Sequence, residues 1–350
     1  MSTKIITTLG PASGNPEVLQ YFKEHSVEIA RLNGSHGIIE EHLRIAKLAI
    51  NAGLDLMLDL PGPKIRLGEI HDKTLTKSTK INDIVYVDDG KLQFRVLKVE
   101  NNRIQVEALN SGPVKSHKGV NLPYGKIDID FLTENDHRLL EKLLPIIKPK
   151  YVATSFVKTV NDIHRLKQAI DESLSLIRNY YPKIIAKIEM AEAIEIPNIT
   201  NIINECDMIM IARGDLALET TPVHIRVPFI QTDLVQRCRQ QSKPFIIATQ
   251  ILESMITCPV PTRAEVSDLY RAVVLDQANY VMLSGEAAIG QYPKECVTFM
   301  HDLIYYNEKN SHTINFNQPN RKHSKTTKDR QKSMKRNVSS MKEEKRKRNV

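Results

Sequence analysis

The sequence predicts an α/β protein: a (β/α)8 TIM barrel with a small β-domain inserted after strand 3 and a disordered basic C-terminal tail. Three observations predict it. Eight short apolar runs are apolar throughout rather than alternating, helical patterns lie between them, and one interval is much longer than the rest. Unbroken apolar character means burial on both faces, as in parallel strands covered by helices.

In chain order, the runs are Lys4–Leu9, Ile29–Asn33, Leu54–Leu58, Tyr151–Ser155, Ile184–Glu189, Met208–Arg213, Phe245–Thr249 and Tyr280–Ser284. Between the second and third, Ile39, Leu43, Ala46 and Ile50 form one helical stripe, and Gly53 follows as a stop. His137–Ile147, Asp162–Ile177, Ile225–Gln241 and Cys296–Tyr306 read as further helices. Apart from the long interval, the repeat of about 24–37 residues suits a closed barrel, with an open doubly wound sheet as the alternative. The third and fourth runs begin about 97 residues apart, which leaves room for an inserted domain. There Ile84–Tyr86, Lys91–Lys98 and Arg103–Ala108 are strand-like, with turns at Asp88-Asp89-Gly90 and Asn101-Asn102. The expected organisation is a barrel from 1–68 and 122–310, a β lid from 69–121 and a tail from 311–350.

The tail accounts for the basic balance. The 350 residues carry 49 Lys/Arg and 41 Asp/Glu, a net charge of +8, and residues 321–350 alone hold 13 and 3 of these. The body is therefore close to neutral, which removes the case for a nucleic-acid-binding fold. The tail has almost no aliphatic side chains to offset the entropy of ordering. It is either a solvated extension or an electrostatic arm for RNA or an anionic membrane, and it lacks the aromatic residues of sequence-specific RNA readers. Cys206, Cys238, Cys258 and Cys296 are widely spaced, with no CxxC pair, as expected of buried thiols in a reducing compartment. A strand starting at Lys4 leaves no room for a signal peptide, and no run approaches 18 apolar residues, so the expected location is the cytoplasm, with no transmembrane segment.

In a parallel barrel, function gathers at the C-terminal strand ends. Those ends carry Thr8 and Pro11, then Arg31, Asn33, Ser35 and His36, then Asp59, Lys64 and Arg66. Later strands add Lys187 and Glu189, Arg213, Gly214 and Asp215, Thr249 and Gln250, and Ser284, Gly285 and Glu286. This pattern points to an enzyme. Glu189 and Asp215, on adjacent strands, offer the oxygen ligands Mg²⁺ prefers, although each could simply pair with a neighbouring Arg or Lys. Lys187 and Glu189, two residues apart, point the same way. With Arg31 and Arg66 opposite, they form an anion clamp of the kind that stabilises a transferring phosphoryl group. Gly214-Asp215 opens a short helix whose amides would hold an anion, or it is a plain turn. No P-loop or Rossmann glycine motif occurs.

Ten segments, in order over about residues 3–300, resemble the pyruvate kinase family. They are TKIITTLGPAS (Thr3–Ser13), ARLNGSHG (Ala30–Gly37), DLPGPKIR (Asp59–Arg66), YVDDG (Tyr86–Gly90), GVNLP (Gly119–Pro123), AKIE (Ala186–Glu189), ARGDL (Ala212–Leu216), ATQ (Ala248–Gln250), PTRAEVSD (Pro261–Asp268) and MLSGE (Met282–Glu286). The resemblance implies transfer of the phosphoryl group of phosphoenolpyruvate to ADP, giving pyruvate and ATP. It implies that Glu189 and Asp215 hold Mg²⁺ (or Mn²⁺), that Lys187 stabilises the phosphoryl group and that Arg31 grips the phosphate. Gly214 and Asp215 would seat the substrate carboxylate, with Thr249 beside the carbon that is later protonated. Asn33, Ser35, His36 and Arg66 would face the nucleotide. A homo-oligomer through the barrel is expected.

The chain departs from the family in three ways. Members that need K⁺ tend to have Thr, Lys, Glu and Thr where this chain has Leu60, Pro61, Lys64 and Leu67. Asn33, Ser35 and Asp59 match the other K⁺ ligands and Leu60 occupies the remaining position of that site, but a lysine at position 64 goes with independence from K⁺, its ammonium supplying the charge. The inserted domain is short, which implies poorer exclusion of water and lower turnover. After Tyr306 the basic tail stands where a C-terminal domain with sugar-phosphate sites usually follows, so such allostery is expected to be missing. Met190, Ala193, Ala217 and Ala287 are smaller changes expected to tune activity. The second reading is a catalytically weak barrel kept as an anion-binding or interaction protein.

Overall fold

A computed structural model describes residues 2–68, 77–100, 103–123 and 129–310. Eight parallel strands close into a barrel: β1 (Lys4–Thr8), β2 (Val27–Asn33), β3 (Asp55–Leu60), β8 (Tyr151–Thr154), β9 (Lys183–Ile188), β10 (Met208–Ala212), β11 (Phe245–Ala248) and β12 (Tyr280–Leu283). Their order is β1-β12-β11-β10-β9-β8-β3-β2. All eight apolar runs are strands of this one sheet, and the open-sheet alternative is excluded.

The strands show why burial on both faces was legible. One face packs outward on the helices in a large core that includes Ile5, Phe22, Leu58 and Ile211. The other fills the barrel interior with Ile6, Ile29, Met57, Ile185, Met210, Ala248 and Met282. Side chains alternate along a strand, so the inward row of β2 runs Ile29, Arg31, Asn33. That of β3 runs Met57, Asp59, and that of β9 Ile185, Lys187. The interior therefore changes from apolar to charged towards the C-terminal strand ends.

The helices follow their caps more closely than their apolar stripes. The helix of residues 134–147, α3 (Glu134–Ile147), begins three residues before the expected His137, because Thr133 and Asp136 form a reciprocal capping box. The next, α4 (Val160–Ser173), starts at its own Thr159–Asp162 box and ends before the expected Ile177. Earlier in the chain, α2 (Ile39–Asn51) buries His42, Ile45, Ala46 and Ala49, so the expected stripe is rotated and Ile50 is 49% exposed. Between β1 and β2, α1 (Pro16–Glu24) is capped by Asn15, whose side chain accepts from the Val18 amide at 3.0 Å. Among the described residues, no helix is long and apolar enough to cross a membrane.

The insertion forms an antiparallel sheet of order β6-β5-β4-β7: β4 (Ile84–Val87), β5 (Leu92–Glu100), β6 (Arg103–Ala108) and β7 (Val120–Asn121). Ile65, Val87, Leu92 and Val120 form its small core. The two-residue strand β7 was not expected; it is too short to show a hydrophobic period. The Asn101-Asn102 turn and the basic tail 311–350 lie outside the described residues.

Candidate active site

The inward rows of the barrel end at a cavity of about 440 Å³ between the barrel mouth and the β-domain. Of the residues expected at the site, Arg31, Asn33, Ser35, His36, Lys64, Arg66, Lys187, Glu189, Asp215 and Thr249 line it. Asp59 and Leu60 lie buried beneath, and Gly214 opens the helix α6 (Arg213–Glu219), the next after α5 (Asn198–Glu205), beside it.

Asp59 is the floor of the site. It is 1% exposed; its Oδ2 accepts from Arg31 Nε at 2.6 Å, and its Oδ1 lies 3.2 Å from Lys187 Nζ. Burial alone would raise its carboxyl pKa, but Lys187 and Arg31 hold it below the usual range. Arg31 is further fixed by Nη1 donating to Thr8 Oγ1 at 2.8 Å. Lys187 also lies 3.2 Å from Glu189 Oε1 and donates to Ser155 Oγ at 2.5 Å. Burial would strip its proton, yet Asp59 and Glu189 raise its pKa, so it stays an ammonium.

Glu189 and Asp215 behave oppositely. Burial raises the Glu189 carboxyl against the pull of Lys187, and the charge of Asp215 adds to the rise. Asp215 is also desolvated, but Lys64 Nζ donates to its two oxygens at 2.9 and 3.0 Å and keeps it below the ordinary value. Two desolvated carboxylates that oppose each other's ionisation form an all-oxygen donor set suited to a hard divalent cation. Among the described residues no cluster of three or more His, Cys, Asp or Glu could hold a metal ion. The remaining ligands would have to come from substrate and water, as is usual for Mg²⁺.

Lys64 is therefore seated on Asp215, whereas the cations bonded to Asp59 are Arg31 and Lys187. The Leu60 carbonyl, matched to the K⁺ site, accepts from Ser155 Oγ at 2.8 Å. Asn33 Oδ1 accepts from the Ser35 amide at 3.2 Å, shaping the turn that carries His36. Burial, then the charges of Arg66, Arg31, Lys64 and Lys118, lowers the pKa of His36 and disfavours its protonated form. Arg66 Nη1 donates to the His117 carbonyl at 3.0 Å, which holds it at the edge of the β-domain.

Thr249 sits at φ 68 and Gln250 at φ 54, left-handed positions that a β-branched residue rarely adopts. Buried Arg213 holds this turn: Nη2 donates to the carbonyls of Thr249 at 2.7 Å and Gln250 at 3.1 Å, while Nη1 reaches Asp268 Oδ2 at 2.6 Å. The Gly214 amide donates to Thr249 Oγ1 at 2.8 Å. The amide expected to seat an anion thus orients the threonine hydroxyl, which in turn donates to the Ala248 carbonyl at 2.6 Å.

Sequence reading passed over four participants. Ser155 and the Phe156 amide come from the exit of β8; the amide donates to Glu189 Oε2 at 2.8 Å. A hydroxyl and a backbone N–H carry no charge signal. Asn121 and Glu219 meet behind Asp215, and burial pushes the Glu219 carboxyl up to about 7. The signal for Glu219 was its spacing, one helical turn after Asp215.

Known proteins agree with this architecture. A family model described as "Pyruvate kinase, barrel domain" matches residues 1–75 and 69–297. A pyruvate kinase of Agrobacterium vitis is 35% identical over 342 residues, covering 87% of this chain and 69% of that protein. One from Mycobacterium intracellulare is 36% identical over 343 residues, covering 88% and 70%. The crystal structure of a pyruvate kinase from Cryptosporidium parvum superposes with a TM-score of 0.79 at 32% identity, covering 88% of this chain and 70% of that one. With the closed barrel, the inserted sheet and these matches in agreement, the chain belongs to the pyruvate kinase family of phosphotransferases.

Proposed function

We propose that this chain transfers the phosphoryl group of phosphoenolpyruvate to ADP, giving pyruvate and ATP. One observation carries the reading. The ammonium of Lys187 is held beside Glu189 at the mouth of a cavity also lined by Arg31, Lys64 and Arg66, so fixed cations surround the place where a phosphate ester would lie. Phosphoryl transfer needs little covalent help from a protein and depends on positioning and electrostatic stabilisation. Arg31 and Lys187, tied to one buried carboxylate, are preorganised for it. As the P–O bond to the enol oxygen breaks and the bond to the terminal oxygen of ADP forms, Lys187 balances the charge on the moving group. The enolate left behind takes a proton to become pyruvate, and Thr249, locked by Arg213, faces that carbon.

Glu189 and Asp215 are the residues that would hold Mg²⁺ or Mn²⁺, which when bound neutralises phosphate and enolate charge. Asn33, Ser35, His36 and Arg66 face the nucleotide. The described cysteines are all free, which supports a reducing, cytosolic setting.

The test is an assay of the full chain with phosphoenolpyruvate, ADP and Mg²⁺, coupled to lactate dehydrogenase. Turnover that requires all three supports the reading. No turnover, with phosphoenolpyruvate still bound, leaves an anion-binding barrel instead. The same assay examines the monovalent ion. Lys64 already supplies a fixed positive charge beside Asp215, so turnover is expected in buffer free of K⁺ and Na⁺. A large stimulation on adding K⁺ would count against this role of Lys64.

A further inference from the structure

The β-domain joins the barrel through two paired segments, one leaving it at residues 64–67 and one returning at 117–121. They are zipped by Val120 N to Ile65 O at 2.9 Å, Leu67 N to Lys118 O at 2.9 Å and His117 N to Leu67 O at 2.8 Å. Each delivers one side chain to the same carboxylate. Lys64 comes from the outgoing segment; from the returning one, Asn121 Nδ2 donates to Asp215 Oδ1 at 3.2 Å. The same nitrogen donates to Glu219 Oε1 at 2.8 Å.

Asn121 is 4% exposed, and both hydrogens of its amide are committed. A carboxamide presents either NH₂ or an oxygen. Flanked by two carboxylates, only the NH₂ orientation is favourable, and Glu219 selects it. Glu219 lies four residues after Asp215 on α6, on the same helix face. Asn121 and Glu219 do not line the main cavity; they face a smaller one of about 60 Å³ behind it.

We propose that Asn121 and Glu219 are positioning residues that hold Asp215 in the orientation needed for a divalent cation, and so tie cation affinity to the seating of the β-domain. The proposal rests on the reading of Glu189 and Asp215 as the metal carboxylates. Hydrogen-bond partners of ligating groups are typically worth 10–100-fold in metal affinity, and a coupling between two sites acts equally in both directions.

The experiment titrates the full chain with Mn²⁺ alone. Free Mn²⁺ is read by electron paramagnetic resonance. N121A is expected to weaken binding about tenfold or more. E219A should weaken it too, while E219Q, whose amide oxygen still accepts from Asn121, stays within about twofold. Since Glu219 works through Asn121, the double variant should bind no more weakly than N121A. Hydrogen exchange supplies a second readout: Mn²⁺ slows exchange in β5 and β6 of the wild type but not of N121A. N121A binding within twofold of wild type, losses that add in the double variant, or unchanged Mn²⁺ protection of β5 and β6 in N121A would overturn the proposal. Wild type that fails to bind Mn²⁺ would overturn the reading of the metal carboxylates itself, a distinguishable failure.

Discussion

Lys187→Met is expected to lower kcat for phosphoryl transfer by about 10³-fold, the scale of losing one preorganised electrostatic contact to a transition state. The side chain is 8% exposed, so its charge acts in a poorly screened setting. Its three partners, Asp59, Glu189 and Ser155, fix the ammonium before substrate arrives. No reorganisation is then needed during the reaction, and this is why the effect should fall on kcat. Methionine keeps much of the aliphatic volume, so the barrel should still close, as far-ultraviolet circular dichroism can check. In the coupled assay, a K187M chain with more than a tenth of wild-type kcat would remove Lys187 from the mechanism.

The largest stability effect is expected at Asp59. Asp59→Asn would leave Arg31 and Lys187 desolvated with their shared counter-charge removed. Breaking a buried ion pair from one side typically costs about 3–5 kcal/mol, and the urea midpoint at pH 7 should fall accordingly. The pH dependence has a definite sign. The carboxyl pKa is depressed in the folded protein, so its stabilisation is present above the ordinary carboxyl pKa of about 3.9. It is lost as pH falls through the lower folded value. The gap between wild type and D59N should therefore narrow as the pH is taken from 7 towards 3. A gap below about 1 kcal/mol at pH 7, the scale of an exposed pair, would mean that Arg31 and Lys187 find other partners or solvent.

The barrel was legible because burial on both faces leaves an unbroken apolar run, and all eight runs became strands of one sheet. Helix starts were less legible where a cap preceded the apolar stripe: Thr133 moved one helix start by three residues. At the site, Arg31, Lys187, Glu189 and Asp215 stood out because a charge at the end of an apolar strand is desolvated at a cost that only a partner or a ligand offsets. Ser155, Phe156 and Asn121 did not, because neutral donors look the same in a loop as in a binding site.

By itself the sequence determined the alternation of strand and helix, the place of the insertion and the set of charges at the barrel mouth, since these depend on residue type and near-neighbour spacing. Only the tertiary structure decided which charge meets which. Lys64 lies on Asp215 rather than among Asn33, Ser35 and Asp59. Arg31 and Lys187 share one carboxylate, and the Gly214 amide faces Thr249. Such pairings join residues 28 to 151 positions apart, and they are set by strand register and barrel closure, which local periodicity does not encode.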